Sequence, residues 1–177
     1  GQDIFHTMEM LNSDYKINNF ILYGFSQGAI GSAIAAKLYN EQLRKKGIKV
    51  DKMILDSPVS NVKKKIKDDA RKRKVPKFIV SIVIRIFNIR VGGNLNKLHL
   101  SYLLRRIPTL LIQSKQDGAT PYGMLMSEYN DIAQNKNIYL KVFENGTHTR
   151  IYPDYVEEYT KTVSDFLNVN QKEEING

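Results

Sequence analysis

The chain has no cysteine. That excludes disulfides, a thiol nucleophile and thiolate metal ligands, and it leaves the compartment open, because reducing and oxidising surroundings both tolerate such a chain. There is no apolar run of roughly 20 residues, the length a bilayer-spanning helix needs. Internal repeats and a signal-peptide pattern are also lacking, and the cytoplasm is the expected location. The first residue is Gly1, not Met, so the chain is read as a cleaved product or a fragment. What is present is ordinary for a globular protein: 177 residues, 42% hydrophobic and 25% charged, sufficient for one domain with a real core.

Acidic residues are in deficit, 18 against 27 Lys and Arg, for a formal charge of +9. The excess is local. Between Asn61 and Lys77 stand nine cations against Asp68 and Asp69, which puts +7 in one segment and +2 in everything else. The segment has no interleaved aromatics, and no nucleic-acid-binding module accompanies it, so nucleic acid is not an expected partner. Its first reading is a solvated face. The alternative is attraction to anionic substrates or weak contact with an anionic membrane surface through residues 61–90.

Apolar runs alternate with helical spacing. Residues 19–23, 49–55, 109–113 and 138–143 read as strands. Gln27 to Lys46 reads as one helix, with Ala29, Ile30, Ala33, Ile34 and Leu38 on one face and Gly47 as its stop. Tyr122 to Gln134 can form another, and an amphipathic helix should close the chain after Pro153, with a polar tail that frays from Asn168. Ile4 to Leu11 reads as a leading helix. The pattern predicts an α/β fold, a parallel sheet with helices on both faces. Residues 61–106 interrupt it and are expected to form an inserted helical cap, with 1–60 and 107–177 making the core. Phe78 to Phe87 within the insert is expected to cover the site.

Gly24-Phe25-Ser26-Gln27-Gly28 lies between the first strand and the first long helix. A serine there must make a sharp strand-to-helix turn, a nucleophile elbow, with its oxygen projecting clear and the flanking glycines relieving crowding. The helix begins at once, so the N–H of Gln27 points at any oxyanion forming on a substrate.

With this motif the chain resembles the α/β-hydrolase superfamily of serine hydrolases, esterase- or peptidase-like, over nearly its whole length. The family's order is serine, acid, histidine. Asp117, in the loop Gln113-Ser-Lys-Gln-Asp117-Gly-Ala-Thr-Pro121 after the third strand, matches the acid. His148, in Gly146-Thr-His148 after the fourth, matches the base. The resemblance implies a catalytic triad of Ser26, His148 and Asp117, two-step acyl transfer on a small acyl substrate, a carboxylic ester first and a thioester or amide next, and no metal or organic cofactor. Asp56, at the end of the second strand, is a rival acid. His6 and His99 lack comparable context and read as surface or packing residues.

One departure from the family matters. About 18 residues precede the first strand, so the upstream strands and the loop bearing a second oxyanion donor have no counterpart. The expected consequences are an open apolar sheet edge that invites association, and completion by a missing N-terminal or companion segment. The second expected function is therefore a non-catalytic interaction module or inactive fragment.

Overall fold

A computed structural model describes residues 1–104 and 106–168. Arg105, within the insert, and the polar tail from residue 169 lie outside the described residues. Four strands form one sheet in the order β1-β2-β3-β4: β1 (Asn19–Phe25), β2 (Lys49–Asp56), β3 (Thr109–Ser114) and β4 (Ile138–Phe143). All three pairings are parallel. Parallel neighbours need crossover segments, and each gap between strands carries helix: α2 (Gln27–Leu38) and α3 (Asn40–Lys45), then α4 (Val62–Lys72), α5 (Lys77–Arg90) and α6 (Leu100–Leu103), then α7 (Tyr122–Tyr129). α1 (Gln2–Tyr15) precedes the sheet, and α8 (Ile151–Asp154) and α9 (Val156–Asn168) follow it.

The two-residue alternation of a strand feeds two cores. Met53, Leu55 and Leu111 face one layer with Phe5 and Met8 of α1 and Ala29, Ala33 and Ala36 of α2. Ile54, Leu110, Ile112 and Phe143 face the other, with Tyr159 and Phe166 of α9. β3 is buried at every position, as expected for a strand covered on both sides. At the other extreme, β1 pairs among the described residues with β2 alone, and Ile21 and Tyr23 are more than half exposed.

Three elements differ from the sequence expectation. The helix from Gln27 breaks at Tyr39, whose ring stacks on Phe5 with centroids 4.7 Å apart, and restarts as α3 so that Leu43 is buried. Tyr122 starts a helix that ends at Tyr129, after which tight turns carry buried Ile132 back to the core. Pro153 belongs to the single turn α8, and Tyr155 separates it from α9. In each case a tertiary contact or a chain reversal overrides a periodicity that could have continued.

The insert is helical through α4, α5 and α6, with Asn61 capping α4 by accepting from the Lys64 N–H at 2.9 Å. α4 reaches the core elements at several points: Lys72 Nζ donates to the Gly118 carbonyl at 3.0 Å, and Lys64 Nζ reaches Ser127 and Glu128. The Phe78–Phe87 stretch does not supply a buried face. No residue of α5 is buried, and its packing is on α4.

Candidate active site

Ser26 sits between the last residue of β1 and the first of α2 with φ 55° and ψ −114°. A non-glycine residue at positive φ costs on the order of 1–3 kcal/mol and persists only where its surroundings hold it. Here the Ser26 N–H donates to the Asp56 carbonyl at 2.9 Å, and the Val59 N–H donates to the Ser26 carbonyl at 3.3 Å. Gly24 makes the turn possible by close approach: a Cβ there would stand 2.6 Å from both the Ala29 Cα and the Gly28 carbonyl oxygen. Gly28, expected to relieve crowding as well, faces open space, so only one of the two glycines is sterically required.

Asp117 lies in the loop after β3 and is buried. Its Oδ1 accepts the N–H groups of Ala119 at 2.8 Å and Thr120 at 2.9 Å. Its Oδ2 accepts the Thr120 hydroxyl at 2.7 Å and the Gln113 amide at 3.3 Å, and lies 2.7 Å from His148 Nδ1. Burial alone pushes this carboxyl up, but the hydrogen bonds from His148 and Thr120 outweigh it and hold the group below the usual carboxylate range. The carboxylate is therefore kept charged in a closed cradle.

His148 follows β4 in a loop whose Gly146, at φ +110°, takes a conformation that L side chains rarely adopt. Its Nε2 lies 2.8 Å from Ser26 Oγ. The Phe25 ring stands 5.0 Å from the imidazole, centroid to centroid. The structure thus brings Ser26, His148 and Asp117, which are 122 and 31 residues from one another through His148, into one hydrogen-bonded chain. Nδ1 donating to the carboxylate leaves Nε2 free to accept from the serine hydroxyl. Gln27 opens α2 directly beside the serine.

The rival acid is engaged elsewhere. Asp56 is buried with its carboxylate accepting from Ser57 Oγ at 2.8 Å, Tyr159 Oη at 2.7 Å and Tyr23 Oη at 3.2 Å. The arrangement buries the Tyr159 phenol and stands it between Tyr23 and the carboxylate, which together push its ionisation well above the ordinary value. Asp56 ties β1, β2 and α9 together beneath the serine turn. His6 is exposed beside Glu9 on α1. His99 sits in a separate cluster with Ser101 and buried Glu128.

Sequence reasoning missed Thr120 and Gln113. Gln113 carried a signal, a polar side chain inside an otherwise apolar strand, and it is fully buried. Thr120 carried none apart from its place three residues after the acid.

No protein-family model and no curated protein sequence matches the chain. Solved structures do match, and they carry the α/β-hydrolase fold. The Pyrococcus furiosus esterase Pf2001 superposes with a TM-score of 0.65 at 21% identity, over 94% of this chain and 60% of the esterase. Inhibited esterase B from Lactobacillus rhamnosis gives 0.67 at 14% identity, over 99% and 63%. An α/β fold family hydrolase from Bacillus anthracis gives 0.60 at 14%, over 93% and 73%. The chain spans about 60% of the length of the esterases it resembles.

Proposed function

We propose that this α/β-hydrolase fold carries the reaction centre of a serine hydrolase that cleaves a carboxylic ester, with thioesters and amides as related substrates. The observation that supports it is the continuous contact from Ser26 Oγ to His148 Nε2 at 2.8 Å and from His148 Nδ1 to Asp117 Oδ2 at 2.7 Å. Likeness to esterases in fold supports a hydrolase in general.

In this reading Ser26 Oγ attacks the acyl carbon as His148 Nε2 takes its proton. The carbonyl π electrons move onto oxygen, where the Gln27 N–H at the positive end of α2 donates to the oxyanion. The oxyanion collapses, the bond to the leaving oxygen breaks, and His148 returns the proton to the departing alcohol. Water then attacks the acyl-enzyme by the same route, releasing a carboxylic acid and restoring the serine hydroxyl. Asp117 stays charged throughout, fixing the imidazole tautomer and stabilising its cation. No step draws on a metal or organic cofactor.

A second reading, a non-catalytic interaction module, is favoured by the uncovered β1 edge with its exposed Ile21, Tyr23 and Phe25. A fluorophosphonate probe separates the two. Serine attack displaces fluoride and leaves a stable phosphonyl ester, so covalent labelling at Ser26 that His148→Ala abolishes is the expected result. A folded chain that never labels leaves the interaction module as the better account.

A further inference from the structure

The proposed reaction centre makes no use of α5, which differs from the other long helices among the described residues in its row of exposed apolar side chains. Phe78, Ile79, Ile82, Val83, Ile86 and Ile89 are all exposed, from 39% for Ile79 to 70% for Ile89. At 100° per residue these six side chains fall on one arc of roughly 140°. The opposite side, Val80, Ile84 and Phe87, is half-buried. Single exposed apolar residues are normal, whereas a continuous stripe of this kind marks a contact surface.

Charge identifies what it contacts. α4, the turn after it and the first residue of α5 hold Lys67, Arg73, Lys74 and Lys77, none of which has a carboxylate partner among the described residues. Lys67, Arg71, Lys74 and Lys77 also line a groove of about 570 Å³ between α4 and α5 with Val80 and Ile84, so this charge lies on the α4 side of the helix, behind the apolar arc. A second copy of the chain is a poor occupant, because it would bring two segments of net +7 face to face. Spanning is excluded by length and by Arg85: 14 residues of helix reach only about 21 Å, against a hydrocarbon core of about 30 Å. Among the described residues no helix is long and apolar enough to cross a membrane.

We propose that the α4–α5 hairpin binds the surface of an anionic membrane, with the apolar arc of α5 seated at the headgroup–acyl boundary and the unpaired cations of residues 67–77 on lipid phosphates. An amphipathic helix of this composition lies in the interface plane, held by apolar burial plus attraction to anionic lipid. Each cation near such a surface is worth roughly a fivefold gain in partition, which falls as salt screens it. The contact is independent of the acyl-transfer reading, since it uses none of the three residues of the reaction centre.

The chain has no tryptophan, so Phe78→Trp creates a single fluorescent reporter within the arc. With vesicles of mixed phosphatidylglycerol and phosphatidylcholine, its emission shifts to the blue and brominated acyl chains quench it. Partition onto phosphatidylcholine alone is weaker by roughly tenfold or more, and added salt narrows the gap. Ile82→Glu with Ile86→Glu in the same reporter abolishes quenching while the circular-dichroism melt is unchanged, because both positions are exposed. Lys74→Glu with Lys77→Glu removes the preference for the anionic lipid. The proposal is overturned by no shift with anionic vesicles, equal partition onto both lipids, full binding by the Ile82→Glu/Ile86→Glu chain, or a vesicle-free dimer that this double variant abolishes. Competition by an RNA oligonucleotide that binds the double variant equally well also overturns it.

Discussion

At the scale of single residues, the acid is the member of the proposed triad with the most built around it. Five donors converge on the two oxygens of Asp117. Asp117→Asn keeps the size but turns an amide donor toward groups that themselves donate and no longer fixes the Nδ1 proton of His148, so ester hydrolysis should fall by roughly 10⁴ in kcat, with a lower melting temperature at neutral pH. The lowered folded-state ionisation of Asp117 also contributes stability that is present above the ordinary carboxylate range and is lost as pH falls through the lower folded value. Acid unfolding of the Asn variant should therefore lack this component. Gly24→Ala tests the elbow. A methyl group 2.6 Å from the backbone of α2 cannot be accommodated without moving the helix, and a loss of about 1–3 kcal/mol in urea unfolding is expected.

At the scale of elements, one buried charge ties α7 to the insert and another ties α9 to the sheet. Glu128 of α7 is 3% exposed and accepts from Asn61, Ser101, His99 and Lys64. Burial raises its ionisation, and those hydrogen bonds more than reverse the effect, holding it at about 2. Because the folded value is depressed, the linked stability is complete above about pH 4.5 and disappears as pH falls towards 2. Glu128→Gln should lose on the order of 2–3 kcal/mol near neutral pH and show a flatter acid limb, measured by urea titrations at several pH values. Lys52 in β2 reaches across the sheet face to donate to the Phe166 and Leu167 carbonyls at 3.0 and 2.6 Å, at the last turn of α9. A cation there satisfies orphan carbonyls and the helix dipole. Lys52→Met should loosen α9, visible as faster hydrogen exchange over Val163–Leu167 with β3 unaffected.

At the scale of the whole molecule, β1 has β2 as its one sheet neighbour among the described residues and carries exposed apolar side chains at the sheet's rim. Such an edge is a template for another strand, whether from a longer form of this protein or from a second copy. Concentration-dependent association is expected in sedimentation velocity, and Ile21→Lys should reduce it without lowering the melting temperature, since Ile21 is exposed and a charged edge residue blocks pairing.

The elements and the serine turn were legible because they rest on local rules, and the acid and the histidine were legible through the family resemblance. Apolar runs of strand length, a Gly-x-Ser-x-Gly turn between strand and helix, and polar loops after β3 and β4 each follow from a few neighbouring residues. Element ends were less legible: the breaks at Tyr39 and Tyr129 depend on a ring stack on Phe5 and on the burial of Ile132, which are distant contacts. The family's order already favoured Asp117 over Asp56, and the tertiary structure adds which of the two carboxylates the imidazole meets. Asp56 ends β2, Asp117 follows β3 and both are buried, but Tyr23 and Tyr159 occupy one carboxylate, and the imidazole meets only the other. The sequence by itself determined which residues could carry the chemistry; the packed sheet decided which of them touch, because hydrogen bonding at 2.7 Å between residues far apart in the chain is a property of the assembled layers alone.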